Sequence, residues 1–381
     1  MNSTLRNISK IALTTILVFT VALILSSCGQ HSWEDWLDLS SSSSLEVNHS
    51  SSSNEQGNIS SSSNKTSSSS SSSNNFNTAE EQRIDVIKTK YKSIQTSFTG
   101  GYFITVPTTT PSYTAGKVKN EVLQAGINAI NLVRYIAGIP DDVELDDEYT
   151  DLCQHGAVVL TAIDQLTHYP YKPSDMEQAF FDKAYKGTTS SNASTINLPS
   201  TTVLKITQYM GDSDPSNIDK VGHRRWILNP AMKKSGFGVG ATKYGLLYSH
   251  DKSRSNVDYD YVAWPSPGVF PTNLFDYNLA WNISLNMQKY DIPDISKIKV
   301  TLEHTNSGKV WTFSSSTPSS TSTGKSYFNV NWNAYGISNS IIFRPELESS
   351  FKYQNGDVFN VTVSGLNKDL SYTVKMFDID N

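Results

Sequence analysis

Apolar residues recur at helical spacing through the middle of the chain and at strand spacing through its last third. From Val118 to Ala137, the residues Val122, Leu123, Ile127, Ile130, Val133 and Ile136 repeat as one face of a helix, which Gly138 and Pro140 stop. Asp147 to Leu166 repeats the pattern through Leu152, Val159, Leu160 and Ile163, with Asp146 and Asp147 as candidate caps. Shorter helices are predicted over Ser174 to Tyr185 and Val203 to Met210. Thr78 to Gln95 reads as a charged, exposed helix or pro-like segment, and Phe103 to Tyr113 as extended chain or loop.

After Pro230 the texture changes. Phe237 to Ala241, Tyr244 to Ser249 and Tyr259 to Ala263 are short alternating or aromatic runs between polar turns, the signature of antiparallel strands. Trp264-Pro265-Ser266-Pro267-Gly268 reads as a rigid connector. Strand candidates follow at Trp281 to Met287, Ile298 to Leu302, Val310 to Phe313, Tyr327 to Trp332, Ile341 to Phe343, Val358 to Val363 and Tyr372 to Phe377, which together predict a small all-β sandwich. Helices followed by antiparallel strands place the chain in the α+β class. Two folded domains are expected, 118–270 and 278–381, preceded by an extended segment over 79–117.

The N-terminus belongs to a different class of sequence. Arg6 and Lys10 precede an apolar run from Ile11 to Leu25, as in a signal peptide. Leu25-Ser26-Ser27-Cys28 resembles the lipobox of bacterial lipoproteins. The resemblance implies lipidation of Cys28 and anchoring to the extracytoplasmic face of a bacterial cell membrane. An uncleaved anchor and an ordinary signal peptide are the alternatives, although the run is short for a span, which needs about 20 residues. Residues 29–78 are dominated by serine and read as a flexible tether; about 40 such residues reach roughly 35 Å. With Cys28 acylated, Cys153 has no partner for an internal disulfide and reads as a buried structural thiol. A net charge of -5 supplies no basic field for nucleic acid.

The densest chemistry lies in Val221-Gly222-His223-Arg224-Arg225-Trp226-Ile227-Leu228-Asn229-Pro230. Pro230 ends a helical turn near Asn229, and His223 and Ile227, four apart, share a face. Such a face suits the wall of a pocket. It equally suits a helix C-terminus, where His and Arg favour the negative end of the dipole. Of Arg224 and Arg225, one is expected to pair with an acid from Asp141 to Glu148 and the other to face water, in preference to binding a ligand, and Arg134 is expected to have the same kind of structural duty. No Gly-x-Ser-x-Gly elbow surrounds Ser190, Ser191 or Ser194, whose abundance turn chemistry explains. His155, His250 and His304 receive no role.

Asn131-Leu132-Val133-Arg134, Val143-Glu144-Leu145-Asp146, a small-residue helix leading to His168, Gly222-His223 and Gly238-Val239-Gly240 follow one another in the order seen in the CAP superfamily. That group, also called SCP domains, comprises cysteine-rich secretory proteins, antigen 5 and plant pathogenesis-related proteins. The resemblance spans about 118–263 and implies an α-β-α sandwich. The connector and the sandwich after it, immunoglobulin-like in outline, resemble bacterial cell-surface members. In the family two histidines and two glutamates meet in a cleft, and some members bind zinc there. His168 and His223 match the histidines; Ser190-Ser191-Asn192 stands where the first glutamate belongs. The second glutamate has no clear counterpart, with Asp212, Asp214 and Asp219 nearby.

Two imidazoles give a divalent cation half of a tetrahedral shell, so no cofactor is required and weak zinc on His168 and His223 is the most expected. The expectation is a lipid-anchored, non-catalytic binding module whose cleft, lined by His168, His223, Ser191 and Asn192, takes a small apolar, polymeric or protein ligand outside the cell or in the envelope. The alternatives are a hydrolase of peptide or cell-wall material with His168 and His223 as its catalytic pair, and a purely structural envelope protein.

Overall fold

The computed structural model describes residues 76–195 and 206–380, which fall in one compact unit spanning Ser71–Asn381. Cys28 and the serine-rich stretch lie outside the described residues. Helices run over Thr78–Lys92 (α1), Asn120–Ala137 (α2), Asp147–Ile163 (α3), Gln178–Thr189 (α4), Ile206–Gly211 (α5) and Gly222–Ile227 (α6). Gly138 closes α2 in the left-handed conformation at φ 72°, and the Asp146 carboxylate caps α3 by accepting from the Tyr149 N–H. Helix α3 stops three residues before Leu166, where Asp164 turns left-handed at φ 52°. Helix α4 starts four residues later than its apolar pattern suggests, because Pro173 to Met176 close a turn first.

Helix α1 is not the exposed segment expected. Ile84 and Ile87 bury against the main core, Arg83 donates to the carbonyls of Tyr135 and Ile136, and Glu80 pairs with Lys375. One side of the helix therefore ties α2 to the C-terminal strands. Phe103–Thr105 (β1) pairs antiparallel with Lys117–Val118 (β2), so the stretch expected as extended chain or loop opens a small hairpin.

Beyond Glu144–Leu145 (β3), which pairs with Lys234–Ser235, a three-stranded sheet joins Ser191–Thr195 (β4), Tyr244–Tyr248 and Phe237–Val239, with Tyr244–Tyr248 central. Alternation divides its faces. Tyr244, Leu246 and Tyr248 pack with Leu152, Cys153, Ala157 and Leu160 of α3, whereas Phe237, Val239 and Leu247 join the cluster that holds α2. Helix α3 lies directly on a row of glycines: a Cβ at Gly238 would sit 2.1 Å from the Cys153 carbonyl. Glycine there is what lets backbone meet backbone.

The last third forms two sheets. Numbering on from Lys234–Ser235 as β5, Phe237–Val239 as β6 and Tyr244–Tyr248 as β7, Tyr261–Trp264 (β8) and Gly268–Pro271 (β9) precede Trp281–Leu285 (β10), Lys299–His304 (β11), Lys309–Phe313 (β12), Tyr327–Asn331 (β13), Ser340–Arg344 (β14), Val358–Ser364 (β15) and Leu370–Phe377 (β16). One sheet has the order β13-β14-β10-β8 and the other β12-β11-β15-β16-β9. They face each other through rings such as Trp281 with Phe359 at 5.6 Å and Phe313 with Phe343 at 5.3 Å. The expected boundary near 270–278 does not separate these elements. Tyr261–Trp264, expected with the first domain, pairs with β10, and the Pro-rich connector carries the chain from one sheet to the other.

The four-stranded sheet is covered on both faces, and its second face carries a polar patch. Asn282 and Ser284 share it with Ser340, Asn329 and Asn331 by register. Strand β10 is buried at every position. The polar face meets the Gly222–Ile227 turn, which brings the sequence's densest chemistry against the sandwich.

Candidate histidine site

Asp212 and His223 form the centre of the site. Asp212 Oδ1 lies 2.8 Å from His223 Nδ1, while its Oδ2 accepts from the His223 N–H at 2.8 Å and from the Arg224 N–H at 3.4 Å. The carboxylate is 1% exposed and the imidazole 22%, so the acid lies behind a ring that solvent reaches. Both flanks of this arrangement hold left-handed backbone without glycine: Asp212 at φ 46° and Val221 at φ 41°. Such conformations cost about 1–3 kcal/mol each and persist where surroundings over-determine them.

Those surroundings are Arg224 and Arg225, and here the expectation of acidic partners from Asp141 to Glu148 is corrected. Arg224 donates to the carbonyls of Met210, Gly211 and Ala280 and to Asn282 Oδ1. Arg225 donates to the carbonyls of Lys220, Asn333 and Ile337 and to Asn331 Oδ1. Both are essentially buried, and both fasten the turn to the polar face of the four-stranded sheet. A planar guanidinium with five donors can satisfy several fixed carbonyls at once. Ile218 and Val221 add an apolar contact with Tyr327 and Ile342 of the same sheet. Arg134 likewise binds carbonyls, those of Pro140, Ile227, Asn229 and Met232, and Asn131 brackets Val143 through two 2.9 Å bonds. The Asn131-x-x-Arg134 motif thus acts as internal fastening.

His223 experiences opposing influences. Burial pushes its titration down, but the charge and hydrogen bond of Asp212 outweigh it, so the imidazole titrates above the ordinary histidine range.

His168 is exposed and its Nδ1 lies 2.9 Å from the Thr188 carbonyl. A carbonyl accepts only, so Nδ1 carries the proton and Nε2 is left as an acceptor. His168 and His223 share no hydrogen bond or ring contact. Each has Nδ1 engaged by an oxygen of the chain and Nε2 free of any partner among the described residues.

The neighbour of His168 is a residue that received no role from the sequence. His250 packs on Trp226 with ring centroids 4.0 Å apart, and burial, then the charges of His168 and Lys252, pull its titration down to about 4. Trp226 lies three residues after His223 on the same helical turn. Pairing could have suggested His250: Ser191 lies opposite Tyr248 in register, two residues away.

Ser191 and Asn192, expected to line the cleft, are 3% and 2% exposed. Ser191 Oγ contacts Cys153 Sγ at 3.3 Å, and Asn192 donates to the His223 carbonyl at 3.1 Å. They support the site from beneath rather than presenting groups to a ligand, because β4 is covered on both faces. Cys153 is fully buried, and burial pushes its thiol up to about 12, which removes it as a nucleophile. Tyr209 packs against the His223 ring at 5.2 Å and donates to Ser194 Oγ.

Among the described residues no group of three or more His, Cys, Asp or Glu side chains is gathered to hold a metal, and no helix is long and apolar enough to cross a membrane. No family model matches the chain, and no curated protein or solved structure matches it either.

Proposed function

We propose that the chain is a lipid-anchored surface protein of CAP type, with an α-β-α helical portion and an immunoglobulin-like sandwich, whose histidine site binds a ligand without transforming it. The observation that carries the reading is the matched state of His168 and His223, each with Nδ1 held by the protein and Nε2 free of hydrogen bonds among the described residues. A fixed imidazole edge offers one directional polar contact, and the Trp226 ring, packed on His250, offers an aromatic face; together they suit a small apolar molecule or a polymer with hydroxyl and amide groups. Ser191, Ser194 and Cys153, the nucleophiles of this region, are taken up by internal contacts. Two imidazoles supply only part of a zinc shell, so zinc binding at His168 and His223 is proposed as weak and not as a requirement. Lipidation of Cys28, with the serine-rich tether, would hold the site outside a bacterial membrane, facing envelope or extracellular ligands.

The test uses the full-length chain in detergent micelles with purified peptidoglycan sacculi and a fluorescent fatty acid as probes. Retention of either probe, reduced at least tenfold in His168→Ala and His223→Ala at unchanged melting temperature, supports binding; retention of neither probe sinks it. Calorimetric zinc titration of the same proteins should give weak binding that either substitution abolishes.

One observation favours a second reading, a His-dependent hydrolase of peptide or cell-wall material. A buried carboxylate on Nδ1 fixes the tautomer in which Nε2 of His223 is the base. Turnover of a labelled muropeptide that His223→Ala and Asp212→Asn both remove would favour this reading over simple capture.

A further inference from the structure

We propose that Ser307 is a reactive site in its own right, a serine that accepts acyl groups from carboxylic esters with His304 as its base. It does not rest on the cleft reading, because it is built on the five-stranded sheet, whereas the His223 turn docks on the four-stranded one.

Ser307 is exposed at the tip of the hairpin between β11 and β12. Its Oγ lies 2.9 Å from His304 Nδ1, and His304 Nε2 lies 3.1 Å from Asp357 Oδ1. His304 is 9% exposed and Asp357 8%, so the base and its acid are covered while the hydroxyl is reachable. Phe359 stacks on the imidazole at 4.6 Å and 14°, which holds the ring plane. A carboxylate only accepts, so Nε2 carries the ring proton and Nδ1 is left as the acceptor for the serine O–H. The nitrogens are exchanged relative to the usual order of Ser-His-Asp sites, but either nitrogen of the ring can serve as base. Asp357 is itself fixed, since its other oxygen accepts from the Gln354 N–H at 2.8 Å. It acts as a positioning residue.

In the reaction the Ser307 oxygen attacks the ester carbonyl carbon while its proton passes to His304 Nδ1. The carbon–oxygen bond to the alcohol then breaks, the alcohol leaves with that proton, and the acyl group remains on Ser307. Water, deprotonated by the same nitrogen, attacks the acyl-serine and releases the carboxylic acid with the serine restored. The exposed tip selects for accessible, activated esters and sets no demand on the size of the acyl group.

The experiment is labelling of the full-length chain in detergent with a fluorophosphonate, read by peptide mass spectrometry. Ser296 is the internal control, because it is hydrogen-bonded to the Asp294 carboxylate with no imidazole. General-base assistance typically gives a rate gain of about a hundredfold or more. Ser307 is therefore expected to label about a hundredfold faster than Ser296, and Asp357→Asn at unchanged melting temperature should slow Ser307 alone, by loss of the tautomer. Hydrolysis of p-nitrophenyl acetate should fall to background in Ser307→Ala. Equal labelling of Ser307 and Ser296 in the wild type, which depends on no variant's folding, overturns the proposal and leaves the contacts as a clamp on the hairpin.

Discussion

Asp212 is the residue on which the histidine site turns. It accepts from two backbone N–H groups and one imidazole while nearly sealed from water. Asp212→Ala strands buried donors, at about 1–3 kcal/mol. Asp212→Asn is the more informative change. Without that charge, burial is the largest influence left on His223, ahead of the opposing charge of Asp214, so its NMR titration should move down from above the ordinary range near 6.5. The sign for stability follows from the raised folded value. The pair's contribution is full below about 6.5 and is lost as pH rises through the titration of His223 in the folded chain. Denaturant melts should therefore show wild type losing stability with rising pH above 6.5 by a component that Asp212→Asn lacks. His250 works in the opposite direction: held neutral by burial, it favours the fold above 6.5 and that contribution disappears as pH falls toward about 4. His250→Gln should flatten the acid limb. At this scale His223 stood out through the density of chemistry around it, and His168 only through the family resemblance. Asp212 was visible only as one acid among three, because its role depends on left-handed backbone that a non-glycine letter does not announce.

Elements were more legible than their partners. The apolar spacing of α2 and its glycine stop transferred directly, and strands β10 to β16 lie where alternation placed them. Pairing was not legible, since a strand's pattern names its buried face without naming the neighbour that supplies its hydrogen bonds. Tyr261–Trp264 shows this: its pattern fitted either sheet, and β10 is its actual partner. The close seat of α3 on the β6 strand gives the clearest element-scale prediction. Gly238→Ala would push a methyl to 2.1 Å from the Cys153 carbonyl, so helix and strand must separate. Overpacking of this kind costs about 1–3 kcal/mol or more. The melting temperature should fall, and exchange protection of the Gln154 to Val239 contacts, both under 3 Å in the wild type, should fall with it. Unchanged stability would mean that the helix tolerates a wider seat than the contact distances allow.

The described molecule does not divide where composition suggested. Arg224 and Arg225 find side-chain and carbonyl acceptors on or beside the four-stranded sheet, α1 bridges α2 to Lys375, and β8 is part of the sandwich. A fragment limited to 118–270 would lose the acceptors that Arg224 and Arg225 find at Ala280, Asn282, Asn331, Asn333 and Ile337, and would leave β8 without β10. That fragment should show no cooperative thermal transition by circular dichroism, while the chain carrying both portions melts as one unit. Two separate transitions in the intact chain would contradict this coupling.

Local spacing alone determined the mixed α+β class, the long helices and the strand-rich C-terminal third, because each depends on which face of a short segment is apolar. Tertiary structure decided the acceptors of the buried arginines, the carboxylate behind His223, the approach of His250 to Trp226 and the crossing of the connector between sheets. These depend on which distant backbone carbonyls converge, and a carbonyl is carried by every residue alike, so no pattern of side-chain letters marks the ones that will be used.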